Sequence, residues 1–192
     1  MNASERSNHF ERLDRGIKRC LKCPLHESRT HAVPGEGPVP STVIFVGEAP
    51  GEKEDQQGRP FVGASGRRLN HLLEKHGLAR DGVYITSCVK CRPPKNRNPH
   101  VGELRICKEN WLLPQIELLE PKLIVLLGQI AVKNLLETKD SLRSLRGDVI
   151  THDDQRYLVT YHPAAALRAA NLSKLMDEDF AHIAQMAAKF RA

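Results

Sequence analysis

Three short stretches of the chain are apolar almost without interruption: residues 42–46 (TVIFV), 83–89 and 123–127 (LIVLL). Runs of this length without polar alternation read as strands covered on both faces, and a glycine closes the first and third (Gly47, Gly128). Between them the apolar positions change to a helical period. Residues 7–18 set Phe10, Leu13 and Ile17 on one face, and residues 65–77 set Leu69, Leu72 and Leu73. Residues 101–119 are helical with a disturbance expected at Pro114, a helix runs from Gly128 through Leu136, and residues 173–191 close the chain as an amphipathic helix. Residues 148–151 and 156–160 predict a hairpin turning at Asp153-Asp154, after which Tyr161-His162-Pro163 opens a further helix.

Strands alternating with helices predict an α/β fold: a parallel sheet with helices on both faces, in three αβα layers. Ligands in such folds sit beyond the carboxyl ends of the strands. The loop that starts at Glu48, the segment from Ser87 to Cys91 and the loop carrying His162 each follow a strand, so they converge on one crevice. Residues 48–63 are rich in glycine, proline and acids and too long for a simple connection. No repeat, low-complexity tract or interdomain linker interrupts the pattern, so residues 1–192 read as one domain.

Charge changes this picture modestly. A net charge of +6 favours a polyanionic partner such as nucleic acid. No apolar run approaches the ~18 residues of a membrane span, and the first 19 residues lack the apolar core of a secretory signal. The expected compartment is therefore the cytoplasm, where cysteines more often bind metal than form disulfides.

Cysteine spacing changes it more. Cys20 and Cys23 stand in C-x2-C spacing, with Cys91 and Cys107 some way along the chain. Two thiolates so spaced can reach one metal or cluster, and folding can bring a second pair to complete four-sulfur coordination, with zinc or an iron–sulfur cluster as occupant. Cys88, inside a strand run, reads as a buried thiol.

Three further strings carry a resemblance. G-E-A-P-G at 47–51 continues as E-K-E-D-Q-Q-G-R-P-F-V-G to Gly63; V-K-C-R-P-P-K-N-R-N-P occupies 89–99; and Y-H-P-A-A-A-L-R occupies 161–168. With the cysteines, in this order, they resemble the family 4 uracil-DNA glycosylases over residues 17–170. The resemblance implies an αβα domain around a four-stranded parallel sheet and hydrolysis of the N-glycosidic bond of uracil in DNA. Free uracil and an abasic site would be the products. It also implies one structural 4Fe-4S cluster on Cys20, Cys23, Cys91 and Cys107, Cys91 being preferred to Cys88 for its R-P-P context.

For the site, the resemblance implies that Glu48 places or activates water at C1′ and that His162 donates to the uracil oxygen. Phe61 would stack on the base, Glu54 would play a supporting part in substrate binding, with loop capping as the alternative, and the backbone of Gly47 and Ala49 would approach the base. Ser87 stands where the family often has asparagine, and a hydroxyl makes fewer bonds to the polar edge of uracil. Arg92, Lys95, Arg97 and His100 stand ready for phosphate, with Arg67, Arg68, Arg143, Arg146 and Arg168 adding charge near the crevice. Leu167 or Arg168 is the expected wedge for the gap left by a flipped nucleotide. The short 96–99 loop is of the hydrolytic type, and no lysine takes a chemical role in these motifs. The loop predicts turnover rather than covalent trapping of the DNA, the lack of such a lysine predicts a monofunctional enzyme, and the chain is expected to act as a monomer.

Overall fold

The computed structural model of the chain describes residues 1–191. Five strands form one sheet: β1 (Val43–Gly47), β2 (Tyr84–Ser87), β3 (Leu123–Leu127), β4 (Val149–His152) and β5 (Gln155–Thr160), in the order β2-β1-β3-β5-β4. The first four in that order are parallel, as the apolar runs predict. The fourth sequence segment corrects the expected four-stranded count. Asp153 and Asp154 both take positive φ, the geometry that matches strand twist in a tight hairpin, so residues 149–152 fold back antiparallel on β5 as an added edge strand.

The helices are α1 (Ala3–Lys18), α2 (Leu25–Ser28), α3 (Glu52–Gln57), α4 (Ala64–Lys75), α5 (Val101–Cys107), α6 (Leu113–Leu119), α7 (Gln129–Leu136), α8 (Leu142–Leu145), α9 (Pro163–Ala166) and α10 (Ala170–Arg191). Helix α1 starts earlier than its apolar stripe suggests, because Asn2 and Glu5 form a capping box: each side chain accepts the other's backbone N–H at 2.9 Å. The disturbance expected at Pro114 takes the form of a π-helical turn, Lys108–Leu112, joining α5 to α6. Proline has no N–H to return to the preceding turn, and the widened turn absorbs the defect.

Strand periodicity divides the core. Val43, Phe45, Ile85, Val125 and Leu158 face α4 and α10, meeting Leu69, Leu72, Phe180 and Ile183. Ile44, Val46, Ile124, Leu126 and Val159 face the other way, onto Phe10, Leu112, Ala131 and Val132. A smaller third cluster joins Ile17, Leu25, Ala32 and Val89 to Cys91 and Cys107.

Candidate active site

The register pairs Gly47 with Ser87 and Leu127 with Thr160, so the parallel strands end together. Beyond these ends lies a cavity of about 530 Å³. Glu48, Ala49, Glu54, Phe61, Ser87 and His162 all line it, as the sequence predicts. Gly47 lies behind the lining: a Cβ there would stand 2.6 Å from Phe61 Cζ. Its role is to let the ring lie against the strand end.

Glu48 leaves β1 half-buried, and burial pushes its carboxyl above the usual range. No ion pair involves its side chain among the described residues. His162 sits across the same cavity. Its Nδ1 accepts the Ala164 N–H at 3.2 Å as the N-cap of α9. An accepting Nδ1 carries no proton, so the neutral ring holds its hydrogen on Nε2. Burial also pulls the imidazole down from 6.5 to about 4, opposed by the nearby Glu54 charge. At neutral pH the residue is thus a neutral N–H donor. Gly128, at φ +96°, leaves room for it, since a Cβ there would stand 3.1 Å from His162 Cβ.

These properties give a first test. Nitrogen-15 NMR is expected to find His162 as the Nε2–H tautomer at neutral pH, titrating near 4. Because the folded value lies below 6.5, the unfolded chain binds more protons between about 4 and 6.5. The His162 contribution to stability is therefore complete above that window and lost as pH falls through it. A midpoint near the ordinary histidine value would remove this assignment.

Phe61 is held in a left-handed conformation at φ 50°. Arg80, absent from the sequence expectations, fixes it. Its Nη2 donates to Pro60 O at 2.6 Å and its Nη1 to Phe61 O at 3.3 Å, while Glu36 holds the guanidinium at 2.6 Å. The Phe61 and His162 rings lie 5.6 Å apart, tilted by 30°. Glu54 proves to be an anchor. Its Oε1 accepts the N–H groups of Val62 and Gly63, both at 2.8 Å, tying α3 to the start of α4. Ser87 is buried at the end of β2.

The basic residues divide. Arg97 is engaged by Glu103 through two bonds, 2.7 and 2.9 Å, and Arg92 Nε donates to Asn96 Oδ1 at 2.8 Å. Arg146 is spent on Asp179 at 2.6 Å and Leu175 O at 2.7 Å, and Arg68 on the Ser173 hydroxyl. Lys95, His100, Arg67, Arg143 and Arg168 remain exposed. So does Leu167, at 53%, which removes core packing as its role.

Four cysteines gather at the third core cluster. Cys91 and Cys107 are buried in it, Cys23 packs against it, and Cys20 lies within electrostatic reach of Cys23 and Cys91. Donors point at the sulfurs: Arg29 Nη1 to Cys91 Sγ at 2.9 Å, and Trp111 Nε1, carried on the π-helical turn, to Cys20 Sγ at 3.2 Å. Such bonds suit thiolates holding a metal group. Cys88 is fully buried in the second core cluster, not in the third, which holds Cys91 and Cys107. No three His, Cys, Asp or Glu side chains among the described residues close on a point fit for a single ion. Nor is any described helix long and apolar enough to cross a membrane.

The family model described as Uracil DNA glycosylase superfamily matches residues 34–188. Among curated proteins, the chain is 44% identical over 187 residues to the Type-4 uracil-DNA glycosylase of Sulfurisphaera tokodaii, covering 93% of this chain and 84% of the relative. It is 44% identical over 180 residues to that of Pyrobaculum aerophilum (90% and 91% covered) and 41% identical over 178 residues to that of Thermotoga maritima (91% and 92%).

Proposed function

The chain belongs to the uracil DNA glycosylase superfamily, on its type-4 branch, and removes uracil from DNA; we propose that it does so with Glu48 and His162 as its catalytic pair. The observation that carries this assignment is that the two line one cavity, one an unpaired half-buried carboxylate and the other a neutral imidazole with Nε2–H free.

Uracil in a duplex is out of reach, so the nucleotide enters the cavity flipped, with exposed Leu167 filling the vacated stack. As the C1′–N1 bond lengthens, its electron pair moves to the base and positive charge grows on the sugar. The Glu48 carboxylate offsets that charge and accepts a proton from the water that adds to C1′. The His162 Nε2–H donates to the uracil carbonyl oxygen on which negative charge develops. Low dielectric around both groups strengthens each effect. The base leaves as free uracil, and the DNA keeps an abasic site. Ala49 and Ser87 meet the base edge and Phe61 its face. With no Schiff base formed, the strand stays intact, and the enzyme acts as a monomer in the cytoplasm.

Cys20, Cys23, Cys91 and Cys107 are proposed to hold one 4Fe-4S cluster. The donors from Arg29 and Trp111, aimed at Cys91 and Cys20, support this. When bound, the group supplies a cross-link rather than chemistry: it staples the N-terminal arm to the 91–107 segment beside the cavity.

Incubation with an oligonucleotide holding a single uracil, then hot alkali, is expected to cut at the uracil alone. Absence of that cut would overturn the functional reading. Phe61→Ala is expected to raise KM about tenfold with kcat little changed, since base stacking is worth ~1–3 kcal/mol. Steady-state kinetics check this, and an unaltered KM would place Phe61 in packing alone.

A further inference from the structure

Lys90 is 2% exposed, yet it does not line the cavity and takes no part in the mechanism above. Its ammonium donates to Thr86 Oγ1 at 2.6 Å and to Ser87 O at 2.9 Å. Thr86 accepts because its own hydroxyl hydrogen is given to Pro34 O at 2.7 Å. Both partners of the cation are therefore neutral. Among the described residues no carboxylate forms a salt bridge with it. The acid whose charge reaches it, Asp14, is held by Lys18 at 2.8 Å. A buried charge needs compensation as well as hydrogen bonds.

The next neighbour of Lys90 in the chain is Cys91, which packs with Val89 and Cys107 in the third core cluster. The Lys90 carbonyl accepts the Val33 N–H at 2.7 Å. One residue thus adjoins a proposed cluster ligand, follows the strand that ends in Ser87, and holds Val33, which also lines the cavity. Four thiolates outweigh the positive charge of an oxidised four-iron core, so a cluster at these cysteines is an anion.

We propose that Lys90 is a buried counter-cation of the cysteine-bound cluster, in addition to the Arg29 guanidinium at Cys91, and a positioning residue for Ser87, joining the metal centre to the base-recognition end of β2. The cluster compensates the buried ammonium, and the ammonium fixes the backbone from which the Ser87 hydroxyl meets the base. This rests on the four-cysteine reading above, which iron analysis of the unaltered protein tests by itself. A protein without iron would end that reading, whereas the variants below address Lys90 alone.

Lys90→Met keeps the length of the side chain and removes its charge; Lys90→Arg keeps the charge in another shape. A nearby cation favours the reduced, more negative cluster, so voltammetry of iron-loaded K90M is expected to show a more negative potential than the unaltered protein. K90R is expected to stay near the unaltered value. Loss of the hydrogen bonds at Ser87 is expected to lower kcat/KM of K90M about tenfold. An unchanged potential in iron-loaded K90M overturns the proposal, as does an equal displacement in K90R. Should K90M accumulate without iron, K90R decides: iron retained there shows that charge is required, and iron lost from both overturns charge in favour of shape.

Discussion

Glu48→Gln is expected to lower kcat for uracil excision about a thousandfold while leaving the fold intact. The substitution keeps the size of the side chain and removes only its charge. General-base assistance is worth ~10²–10⁴-fold, and the carboxylate also faces the positive sugar. Its raised pKa is the structural sign of this work, for burial without a cation makes the ionised form a stronger base. The same fact sets the sign for stability. A carboxyl whose folded value lies above its unfolded value is costly to keep ionised, so at neutral pH Glu48 weakens the fold and acid relieves it. The glutamine variant should therefore melt at the same temperature as the unaltered protein or slightly above it. Single-turnover excision and a thermal melt check both parts. Activity within tenfold of the unaltered enzyme, or a clearly lower melting temperature, would reassign Glu48 to structure.

Cys91→Ser is expected to have the largest effect on stability. Cys91 and Cys107 are buried in a core cluster with few other members, mainly Ile17, Leu25, Ala32 and Val89. So small an apolar group cannot hold the N-terminal arm alone, and the proposed cluster supplies the difference. Binding of a structural metal contributes about 10 kcal/mol or more in small domains, comparable to the whole stability of a domain at about 5–15 kcal/mol. The variant should be colourless and largely unfolded. Cys88→Ala is the control, since Cys88 lies in the other main core cluster. It should lose a little stability from the vacated space but keep its iron and its visible absorbance. Iron content and circular dichroism of the two variants distinguish the outcomes. A folded, iron-containing Cys91→Ser protein would move the ligand set elsewhere.

Sequence alone exposed much of this site because the cavity is built on strand ends. An apolar run followed by glycine or a polar residue marks the place where a parallel strand stops, and Glu48, Ser87 and His162 each follow such a run. What stayed hidden depends on approaches between distant segments. Arg80 meets Pro60 and Phe61 only after α4 has folded between them, and nothing in its own neighbourhood announces this. Arg146 reads as one more surface cation until α10 brings Asp179 against it. For Glu54 the sequence leaves a supporting role in the site and loop capping side by side, and only the folded loop, whose backbone takes up the carboxylate, decides for capping. Lys90 looks like an ordinary motif lysine, and only the packed structure shows it buried without a carboxylate. The added edge strand was present in the sequence as a hairpin; its polar, half-exposed pattern gave no sign that it would extend the sheet.

The order of strands across the sheet also bears on how the polypeptide is assembled as it leaves the ribosome. All four proposed sulfur ligands lie within the first 107 residues, together with the two neighbouring strands β1 and β2. The outer border of β2 is already occupied by the bridge between Glu36 and Ile85. Every later strand is added on the other side, β3 on β1, then β5 on β3, with β4 outermost. Synthesis can therefore deliver a stapled N-terminal half that grows in one direction only, and His162, on the last loop of the crevice, arrives after Glu48, Phe61 and Ser87.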